Sequence, residues 1–290
     1  MAETIRNPIE WGIDQLRHAA TGFEAASRAL EHVPATLHSP QPIVRRIGLA
    51  DLREALIRGA ADFGTCRSDV IFLCAFYPLA GFVLGRMVFG AHMLPLLFPL
   101  VAGFALLGPL AAVGLLEMSR RRERGEEVTW ATAFRVVYAP SFAAIVMLGL
   151  LLLAIFLLWL GAAALIYRFT LGPALPASFG AFLHNVVATE GGWAMIGVGI
   201  GVGFLFAVLV LTISVVSFAL LLDRDAGIDT AIATSIRVVT HNPAVMAAWG
   251  AVIAVGLVIG SLPLLLGLVV VFPILGHATW HLYRKAVRQP

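Results

Sequence analysis

Two histidines four residues apart, His277 and His281 in the stretch GHATWHLYRK, come nearest to a reactive constellation in this chain. On a helix that spacing puts both imidazoles on one face, where a pair can hold a transition metal or sit beside a haem. A zinc site wants about four ligands, and no cysteine or carboxylate adjoins the pair in the sequence. Trp280 and Tyr283 interleave with it, so the same stretch also spells the aromatic and cationic belt of a helix leaving a bilayer. The belt is the expectation, a metal or haem site the alternative, and no cofactor is assigned. Glu117 stands three and four residues before Arg120 and Arg121, which reads as an interfacial ion pair on one helix face rather than as acid–base machinery. Cys66 and Cys74 read as buried small hydrophobes, not as a disulfide. The chain contains no GxSxG, no HExxH and no phosphate-binding Gly-Lys-Ser/Thr loop, so no catalytic residue and no enzyme activity is expected. The glycines of IGVGIGVGFLF follow no strand and lie inside an apolar run, where small residues let helices pack closely.

The elements that must position these residues are set by composition. Hydrophobic residues make up 60% of the 290, charged residues only 13%, and mean hydropathy is +0.91. A soluble domain carries about 25% charged residues, so lipid is the expected solvent. A helix needs about 20 apolar residues to cross the ~30 Å hydrocarbon layer. Six stretches approach that: Val70–Val88, Met93–Leu116, Ser141–Tyr167, Ala194–Leu222, Ala244–Gly260 and Leu262–Trp280. Alternating strands of a β-barrel are absent from the sequence, and no signal peptide opens it. The expected fold class is therefore all-α, a polytopic helical membrane protein. Of the 20 Lys and Arg, only Arg86 and Arg168 fall on one side of this arrangement. The positive-inside rule then places both termini in the cytoplasm. The sequence pI of about 9.2 reflects that topology and contact with anionic lipid, not nucleic acid.

A short phrase is written twice between the apolar runs. GEEVTWATAFRVV begins at Gly125 and GIDTAIATSIRVV at Gly227. Both share the leading Gly, an early acid, Ala-Thr and a closing Arg-Val-Val. A weaker third copy, GLADLREALIRGAADF, starts at Gly48. In each an Arg follows the Gly by ten residues: Arg58, Arg135 and Arg237. Apolar stripes are expected at Leu49, Leu52, Leu56 and Phe63, at Trp130, Phe134, Val137 and Tyr138, and at Ile232, Ile236 and Val239. Each copy thus reads as a short amphipathic helix on the cytoplasmic surface, headed by its Gly and followed by two spans. The organisation expected is a cytoplasmic amphipathic region over 1–45 and a six-span domain over 46–290. That domain divides into repeat units at about 48–117, 125–222 and 227–285, with an external segment at 168–193. The three Arg are candidates for lipid headgroups, which a planar guanidinium can grip by phosphate.

The stretches GPLAAVGLLEMSRRRERGE, SVVSFALLLDRDAG, AIATSIRVVTHNPAVMAAWG and LGLVVVFPILGHATWHLYRKAV resemble the bacterial family catalogued as domain of unknown function 2189. The resemblance covers roughly Ile47 to Val287. It implies a multispanning protein of the bacterial inner membrane and supplies no catalytic residues. Proteins of this kind are sometimes labelled as oxidase subunit I, yet this chain has half the spans of a haem–copper oxidase core and lacks its mid-membrane histidines. The function expected first is a non-enzymatic membrane protein engaging lipids, including anionic headgroups, or other inner-membrane proteins. A transporter of neutral or amphipathic solutes comes second, because the spans carry almost no buried charge. A metal- or haem-associated respiratory accessory protein comes third.

Overall fold

The computed structural model describes residues 41–66, 70, 71, 74, 86, 94–172, 174, 176, 178–263 and 265–288. Most of the amphipathic region expected over 1–45 and most of the first span, Val70–Val88, lie outside those residues. The described residues are helical, with one isolated antiparallel bridge between Val44 and Val287. In chain order the helices are α1 (Leu49–Thr65), α2 (Leu97–Leu106), α3 (Gly108–Ala111), α4 (Val113–Glu123), a 3₁₀ helix (Trp130–Tyr138), α5 (Phe142–Thr170), α6 (Phe179–Ala188), α7 (Glu190–Ser214), α8 (Ser217–Asp223), α9 (Ile228–His241), α10 (Pro243–Ser261) and α11 (Leu268–Ala286). A single 3₁₀ turn, Leu94–Leu96, precedes α2.

Among the described residues, three segments are long and apolar enough to cross a membrane: Phe142–Thr170, the nearly continuous α7–α8 run Glu190–Asp223, and Pro243–Ser261. These coincide with the expected third, fourth and fifth spans. The second, Met93–Leu116, is a broken helix. Pro109 has no N–H to give, and the path divides at Leu107 and again at Ala112 while both junction residues keep near-helical angles. The sixth starts at Leu268 and runs on to Ala286, later at both ends than Leu262–Trp280. Pro263 and the left-handed Leu265 (φ 66°) shape the turn before it, where Gly267 abuts the Gly260 backbone. Six spans are thus not what the described residues display by length; three are.

The repeated phrase carries a shared burial pattern. Aligned on their leading glycines, Ala55, Thr132 and Thr234 are buried, and so are Gly59, Val136 and Val238. The residue just before each Arg faces out: Ile57 is 54% exposed, Phe134 58% and Ile236 39%. In the second copy the expected apolar stripe therefore turns outward at Trp130, Phe134 and Tyr138; in the third only Ile236 does, while Ile232 and Val239 pack against the core, and in both the face of Ala, Thr and Ser packs inward. Small hydroxyl residues can take the inward face because Thr234 donates back to the Thr230 carbonyl (2.7 Å) and Ser217 of α8 donates to that of Ala231 (3.0 Å). The second copy is also wound as a 3₁₀ helix rather than an α-helix. Gly48 and Gly227 cap the N-termini of α1 and α9 in extended conformation. Gly125 does a different job. At φ +74° it closes the end of α4, its N–H bonded to the Arg122 carbonyl at 2.9 Å, the left-handed exit that glycine takes without Cβ strain.

α11 packs along α1, and the two backbones approach at Gly59, where a Cβ would lie 2.6 Å from the Ala278 nitrogen. A strap formed by residues 42–47 ties the other elements to this pair. Arg45 N–H donates to the Ala286 carbonyl (2.8 Å) and Arg288 N–H to that of Ile43 (2.9 Å). Asn242, at the α9–α10 junction, accepts from Ile47 N–H (2.8 Å) and donates to the Arg45 carbonyl (3.1 Å). Farther along the helices, an apolar cavity of about 530 Å³ lies between the broken helix α2–α4, α7, α10 and α11.

Candidate functional site

The richest polar cluster gathers where α1, α4 and α11 meet. Asp62 lies on the inner face of α1, with Leu52, Ala55, Gly59 and Phe63. Its Oδ2 accepts from the Ser119 hydroxyl at 2.6 Å and lies 2.9 Å from His281 Nε2, while Oδ1 takes Arg122 Nη1 at 2.7 Å. Ser119 Oγ is also 2.7 Å from His277 Nδ1. Serine has one hydroxyl hydrogen, and an ionised carboxylate can only accept. Ser119 therefore donates to Asp62 and receives the Nδ1 hydrogen of His277. The remaining His277 nitrogen, Nε2, is buried and has no hydrogen-bond partner among the described residues. Burial pushes the Asp62 carboxyl up, but the bonds from His281 and Ser119, with the charges of His281 and His277, hold it below the ordinary carboxylate value.

The expected histidine pair is thus joined through Ser119 and Asp62, with each imidazole turned to a protein partner. Among the described residues no group of three or more His, Cys, Asp or Glu is arranged to hold a metal ion. Ser119 and His277 are each only 1% exposed, and the Ser119 hydroxyl is shared between Asp62 and His277. Chemically the cluster is a carboxylate clamped by donors from two other helices. Removing one member of such a buried charged set leaves the others uncompensated and costs about 3–5 kcal/mol.

Trp280 and Tyr283 do not form a surface belt. Both are fully buried, with ring centroids 5.5 Å apart. Trp280 Nε1–H donates to Glu123 (2.9 Å), the Tyr283 hydroxyl to Asp223 (2.8 Å), and Arg284 to Glu123 (3.0 Å). Buried rings whose polar atoms find partners belong to the interior. Lys285 reaches Glu54 (2.7 Å) and Asp51 (3.2 Å) across to α1. The Asp51 carboxyl is held low first by the N–H of Gly48, which it caps at 2.9 Å.

Glu117 is buried on α4 and paired with Arg120 (3.0 Å) and Arg121 (2.6 Å), and Arg121 also reaches Glu126 (2.8 Å). The three Arg of the repeated phrase occupy different surroundings. Arg58 is exposed and pairs with Glu54 at 2.7 Å. Arg135 is exposed beside Trp130 and Phe134, whose rings meet edge to face at 6.1 Å. Arg237 is half-buried, with Nη2 on the Pro42 carbonyl at 2.8 Å. Sequence reasoning missed Asp62, Ser119, Arg122 and Glu123. Their partners lie 57 to 219 residues away, and the only local hint was a run of charged residues closing an apolar stretch.

Residues 97–223 match the model of a family described as a predicted integral membrane protein, DUF2189. The matched region covers the broken helix, the 3₁₀ helix and two of the three long apolar segments. Neither a curated protein nor a solved structure matches the chain.

Proposed function

We propose that this chain is a non-enzymatic, multi-pass protein of a bacterial inner membrane that engages anionic lipid headgroups at its cytoplasmic surface and docks there with other membrane proteins. On this reading the chain crosses six times, keeps both termini in the cytoplasm, and repeats a unit of interfacial helix plus hairpin three times. The observation that carries the reading is the shared register of the three phrases. Each buries a small or hydroxyl-bearing face and presents an exposed apolar residue followed by Arg: Ile57-Arg58, Phe134-Arg135 and Ile236-Arg237. An outward apolar side chain beside a cation suits the boundary between acyl chains and phosphates. The 3₁₀ helix supports it most, since Trp130 and Tyr138 are exposed on either side of Phe134.

A basic residue near an anionic leaflet contributes about 1 kcal/mol. The full chain in nanodiscs of mixed neutral and anionic phospholipid is expected to enrich the anionic lipid. A variant carrying Arg58→Gln, Arg135→Gln and Arg237→Gln loses most of that enrichment while still inserting. Equal enrichment in both proteins would overturn the reading. Transport of a neutral or amphipathic solute is the second reading, favoured by the apolar cavity between the long helices.

A further inference from the structure

We propose that α6 lies in the plane of the membrane boundary remote from the Arg-bearing helices, with Phe179, Leu183 and Val187 sunk into the acyl chains of that leaflet. The surface shares no residue with the headgroup site proposed above and takes neutral lipid, so the two proposals fail independently.

Position comes first. α5 has 29 residues, about 43 Å of helix at 1.5 Å per residue, more than the ~30 Å of hydrocarbon it must cross. It starts beside the 3₁₀ helix and ends at Thr170, so the loop carrying α6 is delivered to the far side. Only Thr189 separates α6 from α7, and the joint is tight. Thr189 Oγ1 donates to the Asn185 carbonyl (2.6 Å) and accepts from the Gly192 N–H (3.0 Å), which caps one helix end with the other. A Cβ at Gly192 would strike the carbonyls of Asn185 and Val186, and one at Gly191 that of Thr170. The Phe182 ring lies 6.4 Å from that of Tyr167, in the last turn of α5, and α6 also touches the 3₁₀ turn that precedes α2. α6 is thus held at the ends of the crossing segments, where hydrocarbon gives way to water.

Composition then identifies the surroundings. Between Arg168 and Glu190 the chain has no Asp, Glu, Lys or Arg, although a soluble domain carries about 25% of such residues. An apolar helix as short as Phe179–Ala188 cannot span, and ordinarily lies either in a protein core or at an interface. None of its residues is buried, which excludes the core. Around the helix the side chains divide in three. Phe182 and Val186 are half-buried against the bundle. Phe179, Leu183 and Val187, four apart, form a stripe 45–52% exposed. His184, Asn185 and Ala188 are exposed on the remaining side. An outward apolar stripe with polar residues beside it is how a helix lies on a bilayer.

The stripe also continues into a lipid-facing surface. Val187 adjoins Trp193, whose Nε1–H donates to the Val187 carbonyl at 3.1 Å. Trp193, Ile200 and Phe204 then carry the exposed apolar surface down one face of α7, the face that a crossing helix gives to lipid. A protein confined to the loop would leave that face bare; acyl chains cover both. Tyr167, Arg168 and Trp193 stand together at this level, as aromatic and basic side chains do at the edge of hydrocarbon.

Spin labels on single cysteines test the placement. Full-chain variants Phe179→Cys, Leu183→Cys and Val187→Cys, with His184→Cys, Asn185→Cys and Ala188→Cys for the other face, are reconstituted in nanodiscs of phosphatidylcholine alone. Wild type, whose Cys66 and Cys74 are buried, is the blank. Collisions with oxygen, which concentrates among acyl chains, and with a water-soluble nickel chelate are read by power saturation. The oxygen-to-nickel ratio is expected to be about threefold higher along the stripe than on the other face. Each substituted side chain is exposed, so packing survives and the six positions report independently. Equal ratios around the helix overturn the proposal by placing α6 in a single medium. Low collision with both reagents along the stripe overturns it too, by placing protein there, whether another part of this chain or a second copy.

Discussion

Asp62 couples three helices through one side chain, so its replacement should be felt far from α1. Asp62→Ala leaves Arg122 and His281 facing an empty position, and a loss of about 3–5 kcal/mol is expected, measured as a lower midpoint of thermal unfolding in detergent. The carboxyl's depressed value sets the sign of a pH effect. Its folded-state value lies below 3.8, the ordinary one, so the stabilisation is complete above about pH 4 and is lost as pH falls through the folded value. Melting midpoints between pH 6 and pH 3 should therefore fall more steeply in the wild type than in Asp62→Asn. None of this was legible in the local sequence. Asp62 reads as a polar residue in a weak amphipathic helix, and only long-range packing brings Ser119 and His281 to it.

At the scale of elements, the α1–α11 contact depends on the missing side chain at Gly59. A Cβ there meets backbone atoms of Ala278, which cannot rotate away as a flexible side chain can. Gly59→Val is expected to cost about 1–3 kcal/mol and to loosen the helix pair. Faster amide exchange over α1 would show it, and unchanged exchange would contradict the packing described. The repeated phrase was legible as a unit because its Ala-Thr and Arg-Val-Val spacing is exact between Gly125 and Gly227. Which way its stripe faces was not. In water an apolar stripe turns inward, but beside lipid that rule loses its force, so Phe134 and Ile236 face out while Thr132 and Thr234 pack. Trp280 misled for a related reason. An aromatic among cations resembles a belt until Glu123 is seen to accept its N–H.

For the whole molecule, the uninterrupted apolar runs were readable and the interrupted ones were not. α5, the α7–α8 run and α10 follow the hydropathy closely, because nothing inside them breaks the hydrogen-bond ladder. Gly108-Pro109 and Pro263 redirect the chain at points where composition alone continues to read as membrane. Under the proposed topology, reporter fusions at Arg124 and after Arg288 give a cytoplasmic signal, and fusions at Ser178 an external one. An external signal at Arg124 would reverse the orientation; matching signals at Arg124 and Ser178 would remove the crossing by α5.

The seam between α1 and α11 also imposes an order on biosynthesis. Asp62 and His281 are 219 residues apart, and ribosomes add about 5–20 residues per second. For some 10 to 40 s the nascent chain therefore carries α1 with its inner face uncovered: Leu52, Ala55 and a carboxylate still waiting for imidazole. The strap waits as well, since Ala286 and Arg288 emerge after every other helix. Transiently exposed apolar surface of this kind is what chaperones act on. Substitutions in α11 should consequently appear first as clearance of newly made protein, before any change in the assembled form.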